Sequence, residues 1–431
     1  MTVPPMGRRP SLLFLCQTLP YPPDAGPAIR TYHVLRILSR VFDVTALCFY
    51  RRKGGLAPED PATSLAMLRR LARVEAFPVP QERSLVRLAW NHLQSVSRRE
   101  VYAAFSYYSP TYARRLRQLL DATRFDLVHV DSIMLCRYFP LLAGRPVVCV
   151  HHNVESALLR RRARVERAWR SAYVSYQARL MEREERRWCG QCALNVMVSA
   201  ADYDELRRIV PGAPGAVVPN GVDTAAFHPG AGPNEGMVYV GEMTWFPNRD
   251  ALQYFCEQIL PRVRAAGERA PARWVGRAPE EMRATYHERY GVDLTGYVAD
   301  IRPLVRDAAC YVVPLRVGGG TRLKILDAWA MGKAIVSTSV GCEGLAAQDG
   351  RNILIRDDPD SFAQAVCRVL GDDALRQRLG AEGRRTVERQ YSWEQIGESM
   401  LALYTSLLES PRGSTALSAA VLPASASRQS E

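Results

Sequence analysis

The sequence predicts an α/β protein made of two doubly wound parallel-sheet domains, and three observations predict it. Short apolar runs rich in β-branched residues recur along the chain, alternating with segments of helical period, as buried parallel strands and their crossover helices do. The stretch Cys310 to Leu345 parses completely as strand, glycine loop, helix, strand and second glycine loop. At 431 residues the chain is long enough for two domains of ordinary size.

Within that stretch, Cys310 to Leu315 reads as a buried strand and Val317 to Thr321 as a glycine loop. Arg322 to Met331 reads as a helix, with Thr321 at its N-cap and Gly332 as its stop. Ala334 to Ser339 is the second strand, and Gly341 to Gly344 closes the unit. Glycines therefore stand at the carboxyl ends of both strands, where open parallel sheets bind ligands. Backbone N–H groups of such a loop approach an oxyanion closely, and the helix start adds partial positive charge. Arg322 and Lys324 in the first turn oppose the helix dipole, so a bound anion would compensate them. The plain alternative is an ordinary βα turn, with Lys324 and Asp327 spaced as an i,i+3 ion pair. Neither a Walker loop nor the G-x-G-x-x-G fingerprint is present.

The run GGGTRLKILDAWAMGKAIVSTSVGCEGL resembles the donor-site segment of retaining glycosyltransferases of the GT-B fold, in glycosyltransferase family four. The resemblance implies that backbone N–H groups at Gly319, Gly320 and Thr321 stabilise the leaving diphosphate, with Arg322 and Lys324 adding charge. It implies that Asp327 holds the ribose hydroxyls, one methylene short of the family's Glu. Gly319 stands where many relatives carry a second Glu.

Composition is that of a globular chain, 47% apolar and 23% charged. No run reaches the ~18 apolar residues of a membrane span. The apolar run before Gln17 is too short for a signal sequence and reads as a first strand. Ten irregularly spaced Cys argue against a disulfide framework and fit a reducing cytoplasm, and the CxxC of Cys189 and Cys192 reads as structural. A net charge of +13 favours a phosphate-bearing ligand or an anionic membrane surface over nucleic acid, for which no module is visible.

From the start, Ser11 to Leu15 reads as a strand leading into a proline-rich loop, Pro20 to Pro27, and then a helix with Ile29, Val34, Ile37 and Leu38 near helical period. The resemblance places Gly26 and Arg30 against the donor phosphates and the acceptor. Phe42 to Phe49 is the second strand. Leu65 to Val74 and Arg83 to Val96 read as basic amphipathic helices, which pack on a core or lie on a membrane interface. Phe125 to Val130 and Pro146 to Val150 are further strands, the first followed by Asp131 and the second by His151 and His152. The resemblance gives His152, ahead of His151, the contact to the transferred sugar. Ser156 to Trp188 reads as one long helix with a solvated charged face, and Leu194 to Ser199 as the last strand of the first domain.

Val217 to Asp223 contains a Pro-Asn-Gly turn and marks the boundary. Gly236 to Val240 opens a second series, with Gly241 ending its strand and Asn248 preceding a helix. The resemblance makes both donor-side candidates. Arg273 to Gly276 and Leu294 to Val298 are the next strands, and the resemblance gives the backbone near Val298 the nucleobase.

The expected domains are therefore 1–218 and 219–390, Rossmann-like and facing across a cleft, a terminal helix 391–410 crossing back to the first, and a disordered tail 411–431. The implied activity is retaining hexosyl transfer from a nucleotide-diphosphate sugar to a polysaccharide or lipid-linked acceptor, in the cytoplasm or at the inner membrane face. No cofactor or metal is implied, and no convincing D-x-D loop is present. The alternatives are a nucleotide-sugar epimerase and a non-catalytic member of a polysaccharide assembly complex.

Overall fold

The computed structural model describes residues 8–23, 26–51, 61–80, 84–164, 166, 168–243, 245–318 and 322–409. Two compact units emerge, Met1–Pro219 with Gly397–Glu431, and Asn220–Ile396. The tail 411–431 lies outside the described residues.

The first unit holds a seven-stranded sheet among its described residues. Its strands are β1 (Ser11–Cys16), β2 (Asp43–Tyr50), β3 (Arg73–Pro78), β4 (Leu127–Val130), β5 (Val147–His151), β6 (Leu194–Met197) and β7 (Gly215–Val217). Their order is β3-β2-β1-β4-β5-β6-β7, and every pairing is parallel. The second unit has β8 (Met237–Val240), β9 (Ala272–Val275), β10 (Val292–Leu294), β11 (Cys310–Val313), β12 (Ile335–Ser337) and β13 (Leu354–Ile355), ordered β10-β9-β8-β11-β12-β13 and again parallel. Both orders reverse direction at one place, β1/β4 in the first sheet and β8/β11 in the second. A crevice opens at the carboxyl ends of the strands at such a switch point.

The central strands are largely apolar because helices cover both faces. Every residue of β1 (SLLFLC) and β11 (CYVV) is buried. At about 2 kcal/mol for each large apolar side chain removed from water, such strands outweigh the modest cost of the polar residues beside them. In the first core Phe49 stacks on Tyr112 with ring centroids 4.6 Å apart, and in the second Tyr239 stacks on Trp274 at 4.6 Å.

Several sequence-based expectations are corrected. The segment read as a helix over Leu65–Val74 is a short helix, Pro61–Leu68, followed by β3, because β2 needs an edge partner and Arg73–Pro78 supplies it. Leu194–Ser199 does not contain the last strand of its sheet, since β7 pairs beyond it. Leu294–Val298 is mostly loop: the strand is Val292–Leu294, and Gly296 has φ +77°. The long charged helix is two, Glu155–Ala163 and Ala168–Cys189, folded back on each other. Ser171 donates to the Ala163 carbonyl at 2.7 Å across the turn, and Arg160 pairs with Glu182 and with Glu205. Tertiary ion pairs thus use charges that the sequence reading left to solvent.

The final helix, Trp393–Glu409, continues into the first unit, where Tyr404 is buried and its hydroxyl meets His129 Nδ1 at 2.7 Å. All ten cysteines are free thiols, and Cys189 and Cys192 are buried. No helix among the described residues is long and apolar enough to cross a membrane.

Candidate functional site

In the second unit, residues of the β8/β11 switch point converge. The helix Leu323–Ala330 follows β11, and its N-cap position is Arg322 rather than Thr321. Gly332 follows with φ +66°, a left-handed stop that a glycine takes without strain. Gly319, Gly320 and Thr321, the expected oxyanion donors, lie outside the described residues.

Lys324 lies in the first turn of that helix and is partly buried. Its ammonium donates to the Tyr239 hydroxyl at 2.6 Å and to Asn248 Oδ1 at 3.1 Å, and it lies 4.0 Å from the Tyr239 ring centre. Tyr239 in turn donates to Asn248 Oδ1 at 2.5 Å, and Asn248 Nδ2 donates to the Glu242 carbonyl at 2.8 Å. These partners are neutral. Burial pushes the Lys324 ammonium well below its usual range, and the Arg322 charge pushes it the same way. Arg322 is buried, and its guanidinium donates to the Val340 carbonyl at 3.2–3.3 Å, with Glu343 Oε2 4.0 Å away. The i,i+3 ion pair between Lys324 and Asp327 is not formed. The Asp327 carboxyl makes no hydrogen bond or ion pair with the described residues, and burial pushes it up to about 7.

Gly241 sits where a side chain has no room. A Cβ there would lie 2.8 Å from Asn248 Nδ2, and one at Gly276 (φ +147°) would lie 2.3 Å from the Gly241 carbonyl oxygen. The structure thus brings together Gly241, Asn248 and Lys324, which the sequence singled out separately. Tyr239, their common partner, was missed, since a Tyr inside a buried strand reads as core. Val298 packs against the second core in the loop after β10. Beside it, exposed Tyr297 lies under the Arg277 guanidinium, 4.6 Å from the ring centre.

In the first unit the β1/β4 switch point carries a buried charged cluster. Asp131 follows β4 and is fully buried. It accepts from the Thr31 hydroxyl at 2.7 Å, and its oxygens stand 3.5 Å from His152 Nε2 and 3.5 Å from His129 Nε2. Burial pushes the Asp131 carboxyl up, but the facing His152 and His129 outweigh it and hold it well below the usual carboxylate range. His152 turns into this cluster with 12% of its side chain exposed. His151 turns away, 3.1 Å from Asn195 Oδ1, and burial lowers it to about 4. The sequence noted Asp131 without giving it a role. The signal was its place directly after a buried central strand.

Gly26 opens the helix Gly26–Leu38, and Arg30 lies one turn along it. The Arg30 guanidinium is buried and donates to the Val218 and Pro219 carbonyls, each at 3.0 Å. These bonds make Arg30 a clamp on the chain end of its own unit, a role the sequence reading did not foresee. Burial lowers it to about 10, still charged at neutral pH. Among the described residues no group of three or more His, Cys, Asp or Glu is placed to hold a metal ion.

A family model described as Glycosyltransferase Family 4 matches residues 26–226, and one described as Glycosyl transferases group 1 matches residues 234–372. The phosphatidyl-myo-inositol mannosyltransferase of Mycobacterium leprae is 22% identical over 375 residues, 82% of this chain and 88% of that protein. The lipopolysaccharide core biosynthesis glycosyltransferase LpsE of Rhizobium meliloti is 37% identical over 84 residues, 19% of this chain and 25% of its own length. The chain is also similar to the crystal structure of Anabaena Alr3699/HepE in complex with UDP-glucose. The TM-score is 0.62 at 14% identity, covering 92% of this chain and 99% of that one. That likeness is one of fold, and the two parallel-sheet units are those of GT-B.

Proposed function

We propose, because the chain belongs to glycosyltransferase family four, that it moves a hexose from a nucleotide-diphosphate sugar to a polysaccharide or lipid-linked acceptor, with retention and without a metal. The observation that carries this reading is the Lys324 ammonium, held by neutral oxygens and raised in energy by burial and by Arg322. A diphosphate is the counter-charge that the Lys324 ammonium lacks among the described residues, and its negative charge grows as the glycosidic bond breaks.

The roles follow from the chemistry of each group. Lys324 and Arg322 stabilise the leaving diphosphate, and Gly319, Gly320 and Thr321 are assigned to it on sequence alone. Tyr239 and Asn248 aim the Lys324 ammonium. The Asp327 carboxyl, with no partner among the described residues, accepts from the ribose hydroxyls. His152, oriented by Asp131, contacts the transferred sugar. The bond from the anomeric carbon to the phosphate oxygen breaks as the bond to the acceptor oxygen forms on the same face, and the acceptor proton passes to the phosphate. No protein nucleophile is required.

The names of relatives support the acceptor class, since they include enzymes of lipopolysaccharide core and of phosphatidyl-myo-inositol. The partners extend to an anionic membrane surface, at which a lipid-linked acceptor would be met, and the +13 charge supports this. An epimerase or a non-catalytic assembly protein is not favoured, because both family models are those of transferases.

The test is slow turnover of a panel of nucleotide sugars in the presence of EDTA, with the first-formed sugar anomer read by NMR. Release of one nucleoside diphosphate with the donor's anomeric configuration supports the reading. Inversion overturns retention, dependence on added metal overturns metal independence, and turnover of none of the donors overturns the assignment.

A further inference from the structure

The helix Leu85–Arg98 is built inside out. Its sequence, LVRLAWNHLQSVSR, gives it one apolar and one polar face, and the fold buries the polar one. Asn91 and Ser95 are its buried residues. Ser95 donates to the Glu100 carbonyl at 2.7 Å and accepts from Gln177 at 2.8 Å. His92 stacks on Tyr102 with centroids 4.0 Å apart and meets the Tyr173 hydroxyl at 2.5 Å. The apolar face looks outward: Leu85 and Val86 are each 81% exposed, and Trp90, Leu93 and Val96 are exposed with them. At about 100° per residue all five fall in one arc of the helix.

Among the described residues these are five of the nine exposed large hydrophobics, so the patch is not the scatter of single apolar residues that any surface carries. A sixth, Trp169, lies one helical turn before Tyr173, with the Arg170 guanidinium 5.1 Å from its ring. Beside the stripe lies a cavity of about 540 Å³ whose lining includes Trp90, Phe105 and Tyr108 with Arg87, Arg98 and Arg137. No carboxylate of the described residues lines it. Arg87 and Arg98 pair with no carboxylate among the described residues, and Arg137 is shared with Glu100 at 2.8 Å.

An apolar stripe alone does not say what covers it, but its charge does. A stripe carrying Trp and flanked by the Arg87 and Arg98 guanidinium groups, with no carboxylate partner among the described residues, suits the boundary between acyl chains and anionic headgroups. We propose that this face docks the chain on an anionic lipid bilayer, with the Leu85–Val96 stripe entering the acyl boundary and headgroup phosphates entering the cavity of Arg87, Arg98 and Arg137. This rests on the membrane partner named above and not on the transfer chemistry, so either can fail without the other.

The test is co-sedimentation of the full chain with vesicles of phosphatidylglycerol and phosphatidylcholine, against phosphatidylcholine alone, at low and high salt. Light scattering and calorimetric melting run in parallel. The chain should bind the anionic vesicles and release at high salt. Arg87→Gln with Arg98→Gln should weaken binding by about fivefold per arginine, and Leu85→Gln with Leu93→Gln by at least tenfold, with the melting temperature unchanged in both. No binding to the anionic vesicles overturns the proposal. Equal, salt-insensitive binding to both compositions overturns the headgroup cavity. A chain that self-associates in solution, and whose association the leucine variant abolishes, overturns it in favour of an interface between copies.

Discussion

The Lys324 ammonium donates to the Tyr239 hydroxyl at 2.6 Å and lies 4.0 Å from the centre of the same ring. One aromatic side chain from a buried strand therefore fixes the cation by both its oxygen and its face. Lys324→Met keeps the length and removes the charge. Turnover should fall by about a hundredfold or more, the scale of losing one preorganised group from a charge-stabilising site. Melting should hold or rise, because a buried cation without counter-charge is costly. Unchanged turnover per folded molecule would remove Lys324 from the diphosphate.

Asp131 is the electrostatic centre of the first unit's cluster. Asp131→Asn leaves His129 and His152 facing a neutral group and should cost about 3 kcal/mol at neutral pH, read by denaturant unfolding. The sign follows from its depressed carboxyl. The contribution is present above the ordinary carboxylate range and is lost only in strong acid, as pH falls through the folded value. The variant should lose that part of the acid transition. His152→Ala, with the aspartate intact, should cost far less stability and mainly slow transfer.

Asp327 carries the opposite sign. Its folded carboxyl is raised to about 7 by burial. The folded state therefore holds a proton that the unfolded chain releases near pH ~4. The stability this confers is full below that pH and is lost as pH rises toward 7. Asp327→Asn should flatten this part of the stability curve, leaving the variant the more stable above neutrality relative to its acid value. If the ribose assignment holds, the same variant binds nucleoside diphosphate more weakly, so the two readouts move in opposite directions.

Gly276→Ala tests how tightly the Gly241 turn is packed. The residue has φ +147°, and an added Cβ would meet the Gly241 carbonyl oxygen at 2.3 Å, backbone against side chain. About 3 kcal/mol of stability should be lost. Activity should fall with it, since Asn248 hangs on the same turn. A variant as stable as the parent would show that the turn yields.

The parallel sheets were legible in the sequence because buried strands read as unbroken apolar runs, and LLFL, VVCV and CYVV need no partner to be recognised. Edge strands were not, because Gly215–Val217 and Leu354–Ile355 are only three and two residues long and Arg73–Pro78 carries charges, so each becomes a strand only through the neighbour it pairs with. Lys324, Asn248 and Gly241 were legible one at a time from glycine chemistry and resemblance, whereas their meeting at Tyr239 is set by the pairing of β8 with β11 and appears in no local pattern. Asp131 and His129 escaped for the same reason, as their partners Thr31 and Tyr404 lie 100 and 275 residues away. Leu85–Arg98 shows the converse, since periodicity identifies an amphipathic helix without saying which face the fold will bury.

The most direct test of the central claim is the melting temperature of the chain against UDP, GDP, ADP, CDP and dTDP, each with and without EDTA. A ligand bound only by the folded state adds about 2.7 kcal/mol at a hundredfold excess over its dissociation constant. One diphosphate should raise the melt, equally with EDTA, and the rise should vanish in Lys324→Met. No shift with any of the five would contradict a nucleotide-diphosphate site at Lys324 and Asp327.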